Sequence, residues 1–245
     1  MYDRRLTVTK ALIIINVVVF MVGLMVQREA MLGISFPQAP KTSVFEITCA
    51  YSWFTCFLEG QFWRMVTYQF VHANFGHILF NMWALFFFGP AVENAMGPRR
   101  FLLFYLVCGI AGALFSSLLA GMGLYTSIPD TAQNEFICNQ LATFAGFEGY
   151  VQCWQMIPLV GASASIYGVM VACAFMYPDV QISLLFPPVT LRLRTFALII
   201  IGIASATILF NLGNAGGEAG HLGGIIMGAI IMAVWKYRSR YNQPW

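Results

Sequence analysis

The chain alternates between long apolar runs and shorter segments that hold most of its polar residues. A helix needs about 20 apolar residues to cross the hydrocarbon core of a bilayer. Six runs approach or reach that length: residues 11–26, 76–96, 101–120, 158–177, 195–212 and 218–236. No internal repeat is detectable. The pattern predicts an all-α membrane protein with six transmembrane helices in a single domain over residues 1–245.

The composition supports a membrane protein and argues against a nucleic-acid-binding one. Hydrophobic residues make up 59% of the chain and charged residues 9%, whereas soluble domains average about 25% charged residues. The net charge of +3 is small, and the basic residues do not cluster on one face. Basic residues precede the first apolar run, but no small-residue cleavage site follows it, so we expect an uncleaved first helix rather than a signal peptide.

The distribution of basic residues predicts the orientation. Ten of the 13 Lys and Arg residues lie in the N-terminal tail, the second and fourth connections and the C-terminal tail. Cytoplasmic loops are enriched in Lys and Arg. We therefore expect both termini in the cytoplasm, with the first, third and fifth loops on the outer side. Because no organelle transit peptide is recognisable, we expect the protein in the cytoplasmic membrane of a bacterium.

The two long outer loops carry aromatic residues and cysteines. The first loop, residues 27–75, contains eleven aromatic residues, which predicts that it lies in the membrane interface. The third loop, residues 121–157, is more polar and has no assigned role. Cysteines occur in both loops, and an oxidising exterior permits either one disulfide within each loop or free thiols: Cys49 and Cys56 in the first, and Cys138 and Cys153 in the third.

The three histidines of the chain, His72, His77 and His221, all lie at the outer ends of predicted spans. Polar groups at membrane depth are costly and are usually functional. In the stretch HANFGHILFNMW, His77 and Asn81 are four residues apart and share a helix face. Helix packing through interhelical hydrogen bonds is the alternative explanation for such residues. Their concentration on one side favours a site.

Two stripes of small residues predict a close helix contact. Gly220, Gly224 and Gly228 recur every four residues in GHLGGIIMG, and the stretch GASASIYG has Gly161 and Ser165, and Ala164 and Gly168, at the same spacing. Such spacing lets helix backbones approach closely. If the stripes pack against each other, Ser163 and His221 come within hydrogen-bond reach. Ser165 is assigned to packing.

A serine hydroxyl becomes a good nucleophile when a neighbouring base accepts its proton. His221 is the candidate base, and Tyr167, which shares a face with Ser163, is expected to stack on its imidazole. Developing negative charge on a carbonyl requires preorganised donors, for which His72, Asn81 and the Ser163 backbone N–H are the candidates. No acidic residue is well placed as a third member, so we expect a Ser–His dyad. Glu218, in the loop three residues before His221, is the remaining alternative.

Three motifs together resemble the rhomboid family of intramembrane serine proteases, and the resemblance covers residues 60–236. The motifs are FWRMVTYQFVHANFGHILFNMW, GASASIYG and AGHLGGIIMG. The resemblance implies Ser163 as nucleophile, His221 as base, and His72 with Asn81 as the oxyanion-stabilising pair. It also implies supporting roles for a further set of residues: His77, Trp63, Arg64, Glu93, Tyr167, Gly161, Gly224 and Gly228. The fifth loop and fifth span would form the lateral gate through which the substrate enters.

One position departs from the family pattern, which usually has glycine directly after the nucleophile. Ala164 occupies that position here. The extra methyl group is expected to tighten the pocket near the oxyanion without abolishing the chemistry.

The resemblance implies cleavage of single-span membrane proteins near their outer ends, with no metal and no cofactor. The site would open to the outer side, and the oligomeric state stays open. The alternative from another class is a catalytically inactive rhomboid-like protein that binds client transmembrane helices. A transporter or proton relay is disfavoured because the spans lack mid-membrane acids and repeated halves. A zinc protease is disfavoured because no H-E-x-x-H motif occurs.

Overall fold

The computed structural model describes residues 7–28, 42–125, 152–184 and 188–240, with a few positions between 136 and 146. Four of its helices are long and apolar enough to cross a membrane, and two shorter apolar helices accompany them. In chain order the α-helices with described bounds are α1 (Val8–Met25), α2 (Val44–Cys49), α3 (Arg64–Thr67), α4 (Phe75–Met96), α5 (Pro98–Gly121), α6 (Ser163–Met176), α7 (Leu193–Leu209) and α8 (Ala215–Arg240). Short 3-10 or π turns occur at Phe54–Leu58, Tyr68–Phe70 and Cys153–Met156. The long helices are α1, α4, α5 and α8.

The described part of the chain is mostly helical, as predicted, but it also contains two small antiparallel ribbons that the hydropathy pattern did not indicate. Strand β1 (Gln27–Arg28) pairs with β2 (Thr42–Ser43), and β3 (Gln181–Leu184) pairs with β4 (Val189–Arg192). The second ribbon joins α6 to α7. Arg192 and Arg194 form exposed ion pairs with Asp179 at 3.4 and 3.5 Å.

The predicted fourth span begins too early, because residues 158–162 are not helical. Tyr51 and Leu159 exchange two backbone hydrogen bonds of 3.0 and 2.7 Å, and the Gly161 N–H donates to the Tyr68 carbonyl at 2.9 Å. Gly161 has φ +117°, which a helix does not permit. The segment is therefore held extended against the first loop, and helix α6 starts only at Ser163.

The predicted fifth span runs three residues too far. Helix α7 ends at Leu209, and Asn211 has φ +48° in the turn that follows. Asparagine tolerates this left-handed conformation better than most residues.

Small residues bring α5, α6 and α8 together, and the two stripes identified in the sequence do pack against each other. A Cβ atom at Gly224 would overlap the carbonyl oxygen of Ala164, and one at Gly228 would lie 2.9 Å from the Cα of Gly168. On the other side of α6, a Cβ at Gly112 would lie 2.5 Å from the Ala164 methyl carbon. Only glycine fits these positions without movement of a neighbouring helix.

The first loop is folded against α5. The Tyr68 hydroxyl donates to the Gly109 carbonyl at 2.6 Å, and the Tyr51 and Ser117 hydroxyls hydrogen-bond at 2.9 Å. Arg64 is buried and donates to the Ala50 carbonyl at 2.8 Å, whereas the neighbouring Trp63 side chain is 56% exposed. Arg64 thus ties two parts of the loop together, and Trp63 presents its ring to the surroundings.

The two cysteines of the first loop are free thiols and do not form a disulfide with each other. Cys49 and Cys56 are both free, and Cys56 is fully buried in a cluster with Tyr51, Tyr68 and Ala113. Packing therefore accounts for Cys56. In the third loop Cys138 is disulfide-bonded, and the Cys153 side chain lies outside the described residues.

Glu93 near the end of α4 anchors the start of α1. Its carboxylate accepts hydrogen bonds from the Val8 N–H at 2.7 Å, the Thr9 N–H at 2.9 Å and the Thr9 hydroxyl at 2.6 Å. The first N–H groups of a helix have no intrahelical acceptor, and a negative charge there is favourable. Glu93 thus satisfies the N-terminus of α1 from another helix.

The Glu93→Ala variant is expected to lose about 2–3 kcal/mol of stability, because it removes the acceptor for buried N–H groups. Thr9→Val removes only the hydroxyl contact and is expected to cost about 1 kcal/mol. Thermal unfolding of the purified variants in detergent micelles checks both values. Equal stability of Glu93→Ala and the wild type would contradict the anchoring role.

Candidate active site

Ser163 is the first residue of α6 and lies beside His221 of α8. The distance from Ser163 Oγ to His221 Nε2 is 2.8 Å, which is a good hydrogen bond. The two residues are 58 positions apart in sequence and meet because Gly224, one turn below His221, rests directly on Ala164. The contact expected from the two small-residue stripes is therefore present.

Tyr167 holds the plane of the imidazole. Its ring lies one turn below Ser163 and stacks on His221 with a centroid distance of 4.2 Å and an interplanar angle of 9°. Near-parallel stacking restricts rotation of the imidazole about its long axis. The expected arrangement of Ser163, Tyr167 and His221 is thus found as one compact unit.

Glu218 contacts the other nitrogen of the same imidazole. Its Oε2 lies 3.0 Å from His221 Nδ1. Sequence reasoning placed Glu218 on a loop, but α8 begins at Ala215 and puts both residues on one helix face. The sequence does show that Glu218 and His221 are three residues apart. This spacing predicts a contact only if both residues belong to the same helix. Both nitrogens of His221 are therefore hydrogen-bonded.

A cavity of about 740 Å³ opens beside this unit and is lined by His77 and Asn81 from α4 as well as by Ser163, Tyr167 and His221. Asn74 caps α4 by accepting a hydrogen bond from the His77 N–H at 2.8 Å, which fixes the helix register. The Asn81 Nδ2 group is buried and has no acceptor among the described residues. The cavity thus contains an unpaired donor.

Gly161 lies directly against the His77 ring. A Cβ atom at this position would lie 2.6 Å from His77 Nε2. Its φ of +117° also favours glycine. Gly161 therefore leaves room for the His77 ring and turns the chain into α6.

His72 does not line the cavity, contrary to the expectation that it pairs with Asn81. The residue precedes α4 and is buried at 5% exposure, with its ring 5.0 Å from the His77 ring in an edge-to-face arrangement. Its Nε2 accepts a hydrogen bond from the Ala162 N–H at 3.5 Å. His72 thus lies behind the cavity wall, and His77 occupies the place in the cavity that the sequence analysis gave to His72.

Burial, with the neighbouring His77 ring as a smaller cause, lowers the pKa of His72 from 6.5 to about 3. The ring is therefore neutral at physiological pH. A neutral imidazole can accept the Ala162 N–H, which a protonated one cannot. His72 is suited to supporting the turn that leads into α6.

The side chains of Ala164 and Ser165 point away from the cavity. The Ala164 methyl group packs toward Gly112 of α5, so the expectation that it tightens the oxyanion pocket does not fit its position. Ser165 is fully buried, and its hydroxyl donates to Gln69 Oε1 at 2.9 Å. This contact agrees with the assignment of Ser165 to packing.

A second, apolar cavity of about 590 Å³ lies between α4, α6 and α7. We call it the apolar groove. Phe80, Ala84 and Met170 line both the apolar groove and the cavity beside Ser163. Its other walls are largely aromatic and aliphatic: Trp83, Phe87, Phe88, Cys173, Val180, Ile182, Leu193 and Phe196 among them.

Comparison of the chain with known protein families identifies its family. The sequence pattern of the Rhomboid domain matches residues 59–238, and the chain belongs to the rhomboid family. It is an integral membrane protein.

The relatives of the chain include proteins named as rhomboid proteases and as rhomboid-like proteins. The rhomboid protease AarA of Providencia stuartii is 29% identical over 176 residues, or 71% of this chain and 56% of that protein. RHOMBOID-like protein 12, mitochondrial, of Arabidopsis thaliana is 29% identical over 187 residues, or 76% of this chain and 50% of that protein. The chain therefore spans about half the length of these relatives.

The family also includes a member named as inactive. The protein called Inactive RHOMBOID-like protein 8 of Arabidopsis thaliana is 32% identical over 79 residues, covering 32% of this chain and 22% of that protein. Family membership alone does not establish activity, so the geometry of Ser163 and His221 carries the functional argument.

The placement of the two histidines predicts different effects on stability. His72→Ala is expected to lower the free energy of unfolding by about 1–3 kcal/mol, because the Ala162 N–H loses its buried acceptor. His77→Ala, at the cavity wall, is expected to cost less. Thermal unfolding in detergent measures both, and a larger loss for His77→Ala would contradict the placement.

The pH dependence of stability gives a second test of His72. The unfolded histidine binds a proton near pH 6.5, whereas the folded one does so only near pH 3. The stability of the wild type should therefore fall as the pH drops below 6.5. His72→Ala should show a shallower fall, and an identical slope in both proteins would contradict burial of a neutral ring.

Proposed function

We propose that the protein is an intramembrane serine endopeptidase that cleaves membrane proteins with Ser163 as nucleophile and His221 as general base. The observation that carries this proposal is the 2.8 Å contact between Ser163 Oγ and His221 Nε2. The stacked Tyr167 ring and the adjacent cavity support it.

The geometry accommodates a two-step acyl transfer. His221 Nε2 accepts the Ser163 hydroxyl proton while Oγ attacks the carbonyl carbon of the scissile bond. The same nitrogen then returns the proton to the leaving amine, and an acyl-enzyme remains on Ser163. Water entering the cavity hydrolyses this ester by the reverse proton path.

The oxyanion would be bound by His77, Asn81 and the Ser163 backbone N–H. This assignment replaces His72, because His77 is the histidine that lines the cavity. Asn81 Nδ2 is a buried donor without an acceptor among the described residues, which fits a group that binds charge only during the reaction. The Ser163 N–H lies at a helix start, where amides lack intrahelical acceptors.

All six apolar helices are proposed to cross the membrane. Helices α6 and α7 have 14 and 17 residues, which correspond to about 21 and 26 Å at 1.5 Å per residue. These lengths fall short of the roughly 30 Å hydrocarbon core. Residues 158–162 would cover the remaining thickness on the outer side, so that Ser163 would lie below the membrane surface.

The proposed orientation puts both termini in the cytoplasm and the site near the outer surface of a bacterial cytoplasmic membrane. Three helix starts then meet on the outer side, since His77, Ser163 and His221 lie within the first two turns of α4, α6 and α8. Water can reach the cavity from that side. A hydrolase inside a membrane needs this access.

The apolar groove is the proposed binding place for a substrate helix from the bilayer. It has an apolar lining and shares Phe80, Ala84 and Met170 with the catalytic cavity. The Phe88 and Phe196 rings stack at 6.4 Å across α4 and α7, so movement of α7 would widen the groove. The outer end of a single-span substrate helix could then unwind and reach Ser163. Substrates with small residues near the cleaved bond would unwind most easily.

The alternative function is an inactive rhomboid-like protein that binds client helices through the same groove. It would not require a serine and a histidine at hydrogen-bond distance. The intact contact of Ser163 with His221 therefore favours the protease.

Ser163→Ala is expected to abolish cleavage of a single-span test substrate in liposomes, because it removes the nucleophile. Ser165→Ala is the matched control from the same helix and should retain cleavage, since its hydroxyl contacts Gln69. Cleavage products are measured by gel electrophoresis and mass spectrometry. Full activity of Ser163→Ala would refute the proposed nucleophile.

Asn81→Ala and His77→Ala are each expected to lower kcat by about 10²-fold, with little change in KM, because they remove donors to the oxyanion. His72→Phe should retain more activity than His77→Ala, since His72 lies behind the wall. Steady-state kinetics in liposomes or detergent check the order. A greater loss of kcat for His72→Phe would restore His72 as the oxyanion residue.

A further inference from the structure

We infer that Glu218 is a positioning residue for His221, so that the site operates as a Ser–His–Glu triad rather than as a dyad. This inference rests on the proposed function. It concerns a carboxylate that neither the family match nor the expected dyad requires.

The contact uses the imidazole nitrogen that the serine does not. Glu218 Oε2 lies 3.0 Å from His221 Nδ1, and Ser163 Oγ lies 2.8 Å from Nε2. A carboxylate accepts a hydrogen bond, so Nδ1 must carry the proton in this pairing. Nε2 is then free to accept the Ser163 proton. Glu218 therefore selects the tautomer that general-base catalysis requires.

The position of the pair on α8 is fixed by the helix itself. Glu218 lies in the first turn, and its N–H donates to the Asn214 carbonyl at 3.0 Å. Its negative charge there interacts favourably with the helix dipole. Glu218 and His221 are three residues apart on one face. The carboxylate is thus held beside the imidazole without a long loop.

The partial burial of Glu218 and His221 strengthens the interaction between their side chains. The His221 and Glu218 side chains are only 13% and 19% exposed. Charges that are partly buried are screened less by water and salt than surface charges. The titratable side chains that line the cavity together with His221 are His77 from α4 and Tyr167 from α6. Glu218 does not line the cavity, and its carboxylate contacts the imidazole at the nitrogen that is not bonded to Ser163.

The chemical role follows from the charge that develops during the reaction. When the Ser163 proton moves to Nε2, the imidazole becomes a cation. The Glu218 carboxylate stabilises this cation while keeping the Nδ1 proton on the ring. No proton transfer to Glu218 is needed. Its contribution should therefore appear in kcat and in the reactivity of Ser163, rather than in substrate binding.

The test compares Glu218→Gln, Glu218→Ala and Glu218→Asp in the full chain in liposomes. Glu218→Gln keeps an acceptor but lacks the charge, and Glu218→Ala lacks both. Both are expected to lower kcat by about 10- to 100-fold, with Glu218→Ala the more affected and KM within about twofold of the wild type. Glu218→Asp should retain more activity than Glu218→Ala, because it restores the charge.

A second readout separates a catalytic effect from a structural one. The rate at which a fluorophosphonate probe modifies Ser163 should fall in parallel with kcat, while the thermal unfolding midpoint stays within about 2 °C of the wild type. Glu59→Gln provides the same substitution at a first-loop carboxylate outside the cavity. It should leave kcat and the labelling rate unchanged.

The outcomes are distinguishable. Wild-type kcat and labelling rates in Glu218→Gln and Glu218→Ala would overturn the triad and leave the Ser–His unit intact. A loss confined to KM or to the unfolding midpoint would assign Glu218 to structure and would also overturn it. If the wild type neither cleaves nor reacts with the probe, the proposed function fails, and the triad fails with it.

Discussion

The site depends on the close packing of α6 against α8. Gly224 and Gly228 rest on the backbone of Ala164 and Gly168, where a Cβ atom would collide. In a bilayer, helices gain no hydrophobic energy by leaving lipid, so close van der Waals packing has to stabilise the contact. The same packing sets the 2.8 Å distance from Ser163 to His221. A wider spacing would leave a serine and a histidine with no means of exchanging a proton.

Several other buried polar groups find a partner elsewhere in the fold. Glu93 binds the start of α1, Gln69 binds Ser165 of α6, and Arg64 binds the Ala50 carbonyl. Unpaired polar groups are expensive in a low-dielectric environment. Among the described residues, four buried side-chain atoms have no hydrogen-bond partner: Asn16 Oδ1, His72 Nδ1, Asn81 Nδ2 and Tyr105 Oη. Of these four residues, Asn81 is the one that lines the cavity beside Ser163. Its position in the cavity wall is consistent with a donor kept available for a substrate.

The sequence was most informative where spacing alone determines contact. The four-residue periodicity of small residues predicted the packing of α6 on α8, and the spacing of Ser163 and Tyr167 predicted the stacked ring. It was least informative where helix boundaries decide the outcome. The start of α8 at Ala215 puts Glu218 and His221 on one face of the same helix. The predicted start of α4 is within one residue of Phe75, so the placement of His77 in the cavity depends instead on the turn that holds His72 against Ala162. The extended segment 158–162 escaped prediction because its hydrogen bonds go to the distant first loop.

The most direct test of the central claim is to locate the adduct of a fluorophosphonate probe by peptide mass spectrometry in the wild-type protein and in the His221→Ala variant. The account predicts a single phosphonylated residue, Ser163, in the wild type and loss of that adduct in His221→Ala, because the hydroxyl then lacks its base. Labelling of Ser165, or undiminished labelling of Ser163 in His221→Ala, would contradict the account.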